Sequence, residues 1–270
     1  MYGITFLTWY LILWWFAHKR VFVGLPRVHR LLSTGRDDLF LACMLGVILW
    51  GRLGEIILYD SAYYRQHPEQ MLAFWSGGMS FLWGVIGVVV ALLYIKRRYR
   101  LQREDFGALG DAVVTIVPLG SLLWRIWNFL NQELIGRPVS ELPVWLWSIL
   151  DSLSLTYVYD RVDDIVRVNS NILQSIGEWL VLGIIVRIFF SSYYLSAGRG
   201  DASRKTQSRP LPYGRVGAVF LIWYGVIRFV MEFFKDLPQS EVYGVLSWTQ
   251  VLVIPLIIIG IWLWRRARVA

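Results

Sequence analysis

Charge and sulfur are both scarce in this chain. Only 17% of its 270 residues are Asp, Glu, Lys or Arg, against about 25% in soluble globular proteins, so a water-soluble domain is disfavoured. Cysteine occurs once, at Cys43 in an apolar run, which excludes disulfide scaffolds and Cys-based zinc sites and reads as a small core residue. The three histidines (His18, His29, His67) fall between apolar runs with no metal-ligand spacing. No metal and no cofactor is therefore expected. No repeat recurs at a fixed period, which weighs against an inverted-repeat transporter. The first apolar run has neither a basic segment before it nor a small-residue cleavage site after it, so it reads as an anchor rather than a cleaved signal.

Apolar and aromatic residues are abundant instead. Hydrophobic residues make up 56% of the chain, tryptophan occurs 15 times, and the mean hydropathy is +0.50. That content excludes intrinsic disorder, and the tryptophans suit membrane–water interfaces. A helix needs about 20 apolar residues to cross a bilayer. Six segments come close or qualify, at 39–58, 79–95, 108–123, 176–190, 216–234 and 245–264, and a shorter seventh spans 2–16. The expectation is an all-α membrane protein of about seven transmembrane helices, forming a single polytopic domain over 1–270.

Basic residues set the orientation. Most of the 27 Lys and Arg residues lie in alternate connections: Lys19 to Arg36, Lys96 to Arg103, Arg199 to Arg215, and the C-terminal tail. The intervening connections are poor in them. This predicts an outside N-terminus and a cytoplasmic C-terminus. The net charge of +8 is then mostly a topology signal with some attraction to anionic lipid, and no nucleic-acid partner is expected. Residues 131–178 carry seven acids, a Trp145/Trp147 pair and two prolines, Pro138 and Pro143. They predict a small extracytoplasmic cap over 131–175, between helices four and five, with a short hairpin within 158–168. The Gly-, Ser- and Arg-rich segment 196–213 reads as a flexible cytoplasmic loop.

Ionisable groups inside apolar spans are costly and mark function by default. Arg125, Asn128 and Asn131 follow one helical face at spacings of three, with Glu133 just beyond; a lone snorkelling arginine is the bland alternative. Tyr224, Arg228, Glu232 and Lys235 share a second face. An Arg228–Glu232 pair is expected there, either as a purely structural ion pair or, with Arg125, as part of a joint anion site suited to phosphate. Gly77 and Gly78, followed by Ser80, open the third span, either as a tight turn or as backbone donors at a helix start. Arg52 lines the same cavity or pairs with Glu55 or Asp60.

These residues resemble the prolipoprotein diacylglyceryl transferase family. Residues 125–137, RIWNFLNQELIGR, are similar to its R-x-G-N-F-x-N-x-E-x-x-G-R signature. Residues 76–87 (SGGMSFLWGVIG), 228–234 (RFVMEFF) and 246–250 (LSWTQ) resemble three further blocks in the same order, and Gly51, Arg52, Leu53, Gly54, Tyr2 and Gly3 have counterparts. Departures are present as well. Leu82 takes the place of the family's histidine, usually proposed as the thiol base; Trp127 replaces a glycine. Gln174, closing RVNSNILQ over 167–174, stands where the family has a carboxylate.

The resemblance implies a multi-pass enzyme of the bacterial inner membrane. It would move the diacylglyceryl group of phosphatidylglycerol onto the cysteine of a lipobox-bearing prolipoprotein, releasing glycerol phosphate. By the same resemblance Arg125 and Arg228 hold the phosphodiester and stabilise the departing phosphate. Asn128, Asn131, Gly77 and Gly78 orient the head group, with Ser80, Arg52 and Arg137 among the substrate-binding residues. Glu232 fixes Arg228, Glu133 shapes the mouth under the cap, and Tyr2 closes the cavity. With Leu82 in place of the histidine, the thiol base is Glu133, a water held by Asn128, or His67. A second reading is a catalytically impaired paralogue that binds phospholipid or precursor as a scaffold; a third is an anion path.

Overall fold

The computed structural model describes residues 2–18, 22, 25–59, 61–73, 80–195, 213–238 and 242–267. Each of the seven apolar segments is largely helical within that range. Among the described residues five helices are long and apolar enough to cross a membrane: Arg36–Ile57, Arg103–Asn131, Ser170–Tyr194, Arg215–Phe234 and Trp248–Arg266. The first segment forms α1 (Tyr2–His18), whose apolar part is the shorter Phe6–Phe16. The third forms α5 (Phe81–Arg98), which ends in Lys96, Arg97 and Arg98. A multi-pass helical membrane protein follows.

Two helices run further than hydropathy alone suggests. The span expected at 108–123 starts at Arg103, where Glu104 and Asp105 in the first turn suit the positive end of a helix dipole. It passes through a turn at Thr115 and Ile116 from α6 (Arg103–Val114) into α7 (Val117–Asn131). The span expected at 176–190 begins at Ser170 and comprises α9 (Ser170–Ser175), a π-helical turn (Ile176–Val181) and α10 (Leu182–Phe190). Glu178, counted among the acids of the 131–178 connection although the expected span already begins at 176, lies in the π-helical turn of that span.

The chain divides into two compact units, residues 6–109 and residues 1–5 with 110–270. In the first, α2 (Pro26–Thr34) precedes α3 (Arg36–Gly54), the short α4 (Ser61–Gln66) follows, and α3 packs along α5. Small residues permit the close approach: a Cβ on Gly87 would lie 2.1 Å from the Gly46 carbonyl oxygen. Without a hydrophobic drive between helices in lipid, such backbone contact is a main source of association. Where α3 begins and α5 ends, Asp38 accepts hydrogen bonds from Arg98 Nε (2.9 Å) and the Tyr99 hydroxyl (2.7 Å). Cys43 is buried.

In the second unit α11 (Arg215–Met231) packs on α12 (Trp248–Arg266), with Gly225 against Ile257 and Gly260 against the Ala218 carbonyl. The start of α11 is tied to α6. The fully buried Asp111 carboxylate accepts from the backbone N–H groups of Gly214 (2.8 Å) and Gly217 (2.7 Å) and from the Tyr194 hydroxyl (2.7 Å). Residues 196–212, most of the expected cytoplasmic loop, lie outside the described residues.

The connection after α7 has its own small core. It contains α8 (Val144–Ser152) and an antiparallel hairpin of β1 (Thr156–Val158) and β2 (Val166–Val168), in register Thr156 with Val168. The hairpin expected within 158–168 is present, two residues longer on its N-terminal side. Leu150, Leu155 and Val168 are buried together against Leu142, Leu146, Leu173 and Phe234. Arg167 braces it, bonding Asp163 and Asp236 at 2.6 Å each and the Gly136 carbonyl at 3.1 Å. The guanidinium holds the Asp163 carboxyl below its ordinary value, whereas burial pushes the Tyr159 phenol up to about 12. A Cβ on Gly136 would lie 2.1 Å from the Val168 carbonyl oxygen, which accounts for glycine there.

Candidate functional site

Three helices of the second unit each turn a polar face inward. On α7, Ser121, Arg125 and Asn128 recur at helical spacing and all are buried. On α9 and the π-helical turn, Gln174 and Glu178 lie four apart and are buried. On α11 and the 3-10 turn that ends it (Glu232–Phe234), Tyr224 and Glu232 are buried around Arg228. Inserting one residue into a helix re-aims side chains, and such π turns recur at functional sites.

The faces converge on Glu178. Its Oε1 is 3.2 Å from Arg125 Nη2 and 3.2 Å from Arg228 Nη1. Arg125 Nε also donates to Oε2 at 3.3 Å, as does the Ser121 hydroxyl. Two guanidinium groups from different spans thus share one carboxylate oxygen and lie within two hydrogen-bond lengths of each other. Arg228 donates in addition to Gln174 Oε1 at 2.7 Å.

The Arg228–Glu232 pair expected from spacing is present at 3.7 Å, but it is the looser contact. Glu232 lies nearer Lys235, whose Nζ is 3.0 Å away. Arg228 is therefore fixed chiefly by Glu178 and Gln174, neither of them a predicted site residue. Glu178 was obscured by its place among seven acids. Its i, i+4 relation to Gln174 is the signal that could have found it.

Several donors in the cluster have no hydrogen-bond partner among the described residues. They are Arg125 Nη1, Asn128 Nδ2 and Gln174 Nε2, all buried. An unsatisfied buried donor costs about 1–3 kcal/mol, more when charged. Donors held in this way on two neighbouring helices form a seat for an acceptor-rich group. The cations Arg125, Arg228 and Lys235 face the carboxylates Glu178 and Glu232, a positive excess of one when the lysine is protonated.

The other predicted residues are placed as follows. Asn131 donates to Glu133 Oε1 at 3.1 Å, and Glu133 is exposed, so the stripe turns outward after Asn128. Arg137 is half-buried; its backbone N–H donates to the Phe234 carbonyl, its own carbonyl accepts from Val168, and its Nε has no partner among the described residues. A capping box of Ser247 and Gln250 starts α12, and Gln250 Nε2 reaches the Phe229 carbonyl at 3.1 Å.

In the other unit, Arg52 is buried, donates to the Gln70 and Met71 carbonyls, and lies over the Tyr64 ring at 5.0 Å. Ser80 is buried, and its N–H donates to the Gly51 carbonyl at 2.9 Å. His67 is exposed and 3.5 Å from Glu69. Gly77 and Gly78 lie outside the described residues, as do the side chains of Tyr2 and Leu82.

Comparison with known proteins gives a consistent result. The pattern of the prolipoprotein diacylglyceryl transferase family matches residues 1–266. A protein of Aromatoleum aromaticum is 36% identical over 96% of this chain and 90% of its own length. One from Polynucleobacter asymbioticus is 34% identical, covering 98% and 93%. One from Azoarcus sp. is 36% identical, covering 98% and 92%. All three are named phosphatidylglycerol–prolipoprotein diacylglyceryl transferase.

Proposed function

The chain belongs to the prolipoprotein diacylglyceryl transferase family, and from that premise we propose that it moves the diacylglyceryl group of phosphatidylglycerol to a prolipoprotein's lipobox cysteine. The observation that carries this reading is the junction at Glu178. There, Arg125 and Arg228 share a carboxylate oxygen at 3.2 Å while Arg125 Nη1 and Asn128 Nδ2 remain unpartnered among the described residues. A phosphodiester offers acceptors in the plane that a guanidinium fork matches.

The two guanidinium groups, held apart from water by the surrounding helices, oppose the charge that builds on the departing phosphate. Fixed donors in a low-dielectric site usually contribute more to such catalysis than any other single effect. Glu178 keeps both arginines aimed before the lipid arrives, so little reorganisation accompanies the reaction. Asn128 and the Gln174 amide add neutral donors. Gly77, Gly78, Ser80, Arg52, Arg137 and Tyr2 are assigned to substrate binding through the family pattern, and Asn131 with Glu133 to the mouth.

The protein crosses the bacterial inner membrane seven times, with its N-terminus outside and its C-terminus cytoplasmic. The alternation of basic connections supports this orientation. The connection containing α8 and the β1–β2 hairpin then faces the outer side, where the precursor's cysteine emerges. The test is a mass-shift assay. Purified protein, phosphatidylglycerol vesicles and a lipobox peptide yield a peptide heavier by one diacylglyceryl group. Lipid binding without that shift would instead favour the scaffold reading.

A further inference from the structure

We propose that Lys235 is the base that takes the proton from the acceptor cysteine in this chain; the assignment rests on the transferase reading. Lys235 follows directly on the arginine-bearing helix and is buried, with 5% of its side chain exposed. Its backbone bridges to Gly136 inside the signature segment, and Asp236 beside it donates its N–H to the Ile135 carbonyl. The amine therefore sits between the turn after α7 and the end of α11, adjoining the arginine pair.

The remaining groups are poorly suited. Arginine does not give up or accept a proton in this range. Glu178 and Glu232 are each held by arginine, and a carboxylate is a far weaker base than a thiolate. Glu133 is exposed and engaged by Asn131; His67 lies beside Glu69. A general base works best with a pKa near the working pH. Burial, reinforced by Arg228 and Arg125, brings the Lys235 ammonium down to about 7, against the opposing pull of Glu232. Among the described residues these charges act on it most; Asp236 is turned to Arg167.

The step balances without another reactant. The cysteine S–H bond breaks and its proton passes to Lys235 Nζ. The sulfur forms a bond to the terminal glycerol carbon of the diacylglyceryl group. The bond from that carbon to the phosphate oxygen breaks, and its electron pair leaves with glycerol phosphate. The ammonium then returns its proton to the leaving phosphate or to water.

The experiment is a pH–rate profile of peptide modification in phosphatidylglycerol vesicles, from about pH 5.5 to 8.5. Wild-type turnover should rise with pH through a limb near 7. Lys235→Arg keeps the charge opposite Glu232 but holds its proton; it should lose about 100-fold or more of the rate near neutrality, and the limb with it. Lys235→Ala should regain activity in proportion to added methylamine, which a structural role would not produce. Wild-type rate and profile in Lys235→Arg would overturn the assignment while leaving the transferase reading intact. So would a folded Lys235→Ala that no amine rescues. Should both variants fail to fold, the wild-type profile decides, and a flat profile overturns the assignment. A wild-type protein that modifies no peptide at any pH overturns both readings.

Discussion

Glu178→Gln tests the junction directly, because it keeps the shape of the side chain and removes only its charge. In the native protein one carboxylate serves Arg125 and Arg228 at 3.2 Å each, with the side chain 3% exposed. Breaking a buried pair by removing one partner costs about 3–5 kcal/mol, since the surviving charge stays desolvated. Here two charges survive and face each other. For a chain of this size that loss corresponds to roughly 6–20 °C in unfolding temperature. The assay is thermal unfolding of the purified variant in detergent, with and without phosphatidylglycerol. The lipid should raise the variant's unfolding temperature more than the wild type's, because its phosphodiester supplies the missing negative charge. A cycle with Arg228→Gln should show coupling of about 0.5–3 kcal/mol. An unchanged unfolding temperature, together with equal stabilisation by lipid, would refute the shared-carboxylate argument.

Arg125→Ala and Arg228→Ala should each abolish lipid transfer while membrane insertion is retained, read by mass shift and by fractionation; full activity in either removes the phosphate clamp. Gly87→Ala should destabilise the α3–α5 crossing by about 1–3 kcal/mol, because its Cβ would meet the Gly46 carbonyl at 2.1 Å. Thermal unfolding checks this, and a neutral result would mean the helices separate freely. The β1–β2 hairpin should loosen in acid. Arg167 lowers the Asp163 carboxyl from its usual 3.8, so that contribution is complete above about pH 4 and is lost as pH falls through the lowered value. Limited proteolysis between residues 156 and 168 should accelerate there and not near neutrality.

The spans were legible because apolar length is a direct demand of the bilayer. Each of the seven segments is largely helical among the described residues, and five of these helices meet the length and hydropathy of a crossing. The ends were less legible, since hydropathy stops at the first charge although a buried charge with a partner continues the helix. Arg125 and Asn128 sit inside α7, beyond the end expected at 123, for that reason. The arginine faces could be read from spacings of three and four; their common partner could not, because an acid at position 178 looks the same in a loop as in a π turn. The expected tie from Glu232 to Arg228 shows a related limit. Spacing gives proximity, and the 3.0 Å contact to Lys235 takes precedence over the 3.7 Å contact to Arg228.

Charge balance separates the roles of the arginines from that of the lysine. With Lys235 neutral, Arg125 and Arg228 are matched by Glu178 and Glu232, and a phosphodiester adds one negative charge to a balanced cluster. As the carbon–oxygen bond breaks, the phosphate gains a second negative charge while the thiol proton makes Lys235 positive. The charge created on the leaving group is then met by one created nearby, in surroundings where each is poorly screened. The arginines are cationic throughout, so they favour bound lipid and, more strongly as the second negative charge builds, the transition state; the positive charge on Lys235 exists only as the reaction proceeds. Interactions of that second kind raise kcat rather than lower KM. Replacing an arginine should therefore change both constants for phosphatidylglycerol, whereas Lys235→Arg should lower kcat and leave KM within about twofold of the wild type. A Lys235→Arg variant with normal kcat and a weakened KM would place the amine in lipid binding and return the proton to another acceptor.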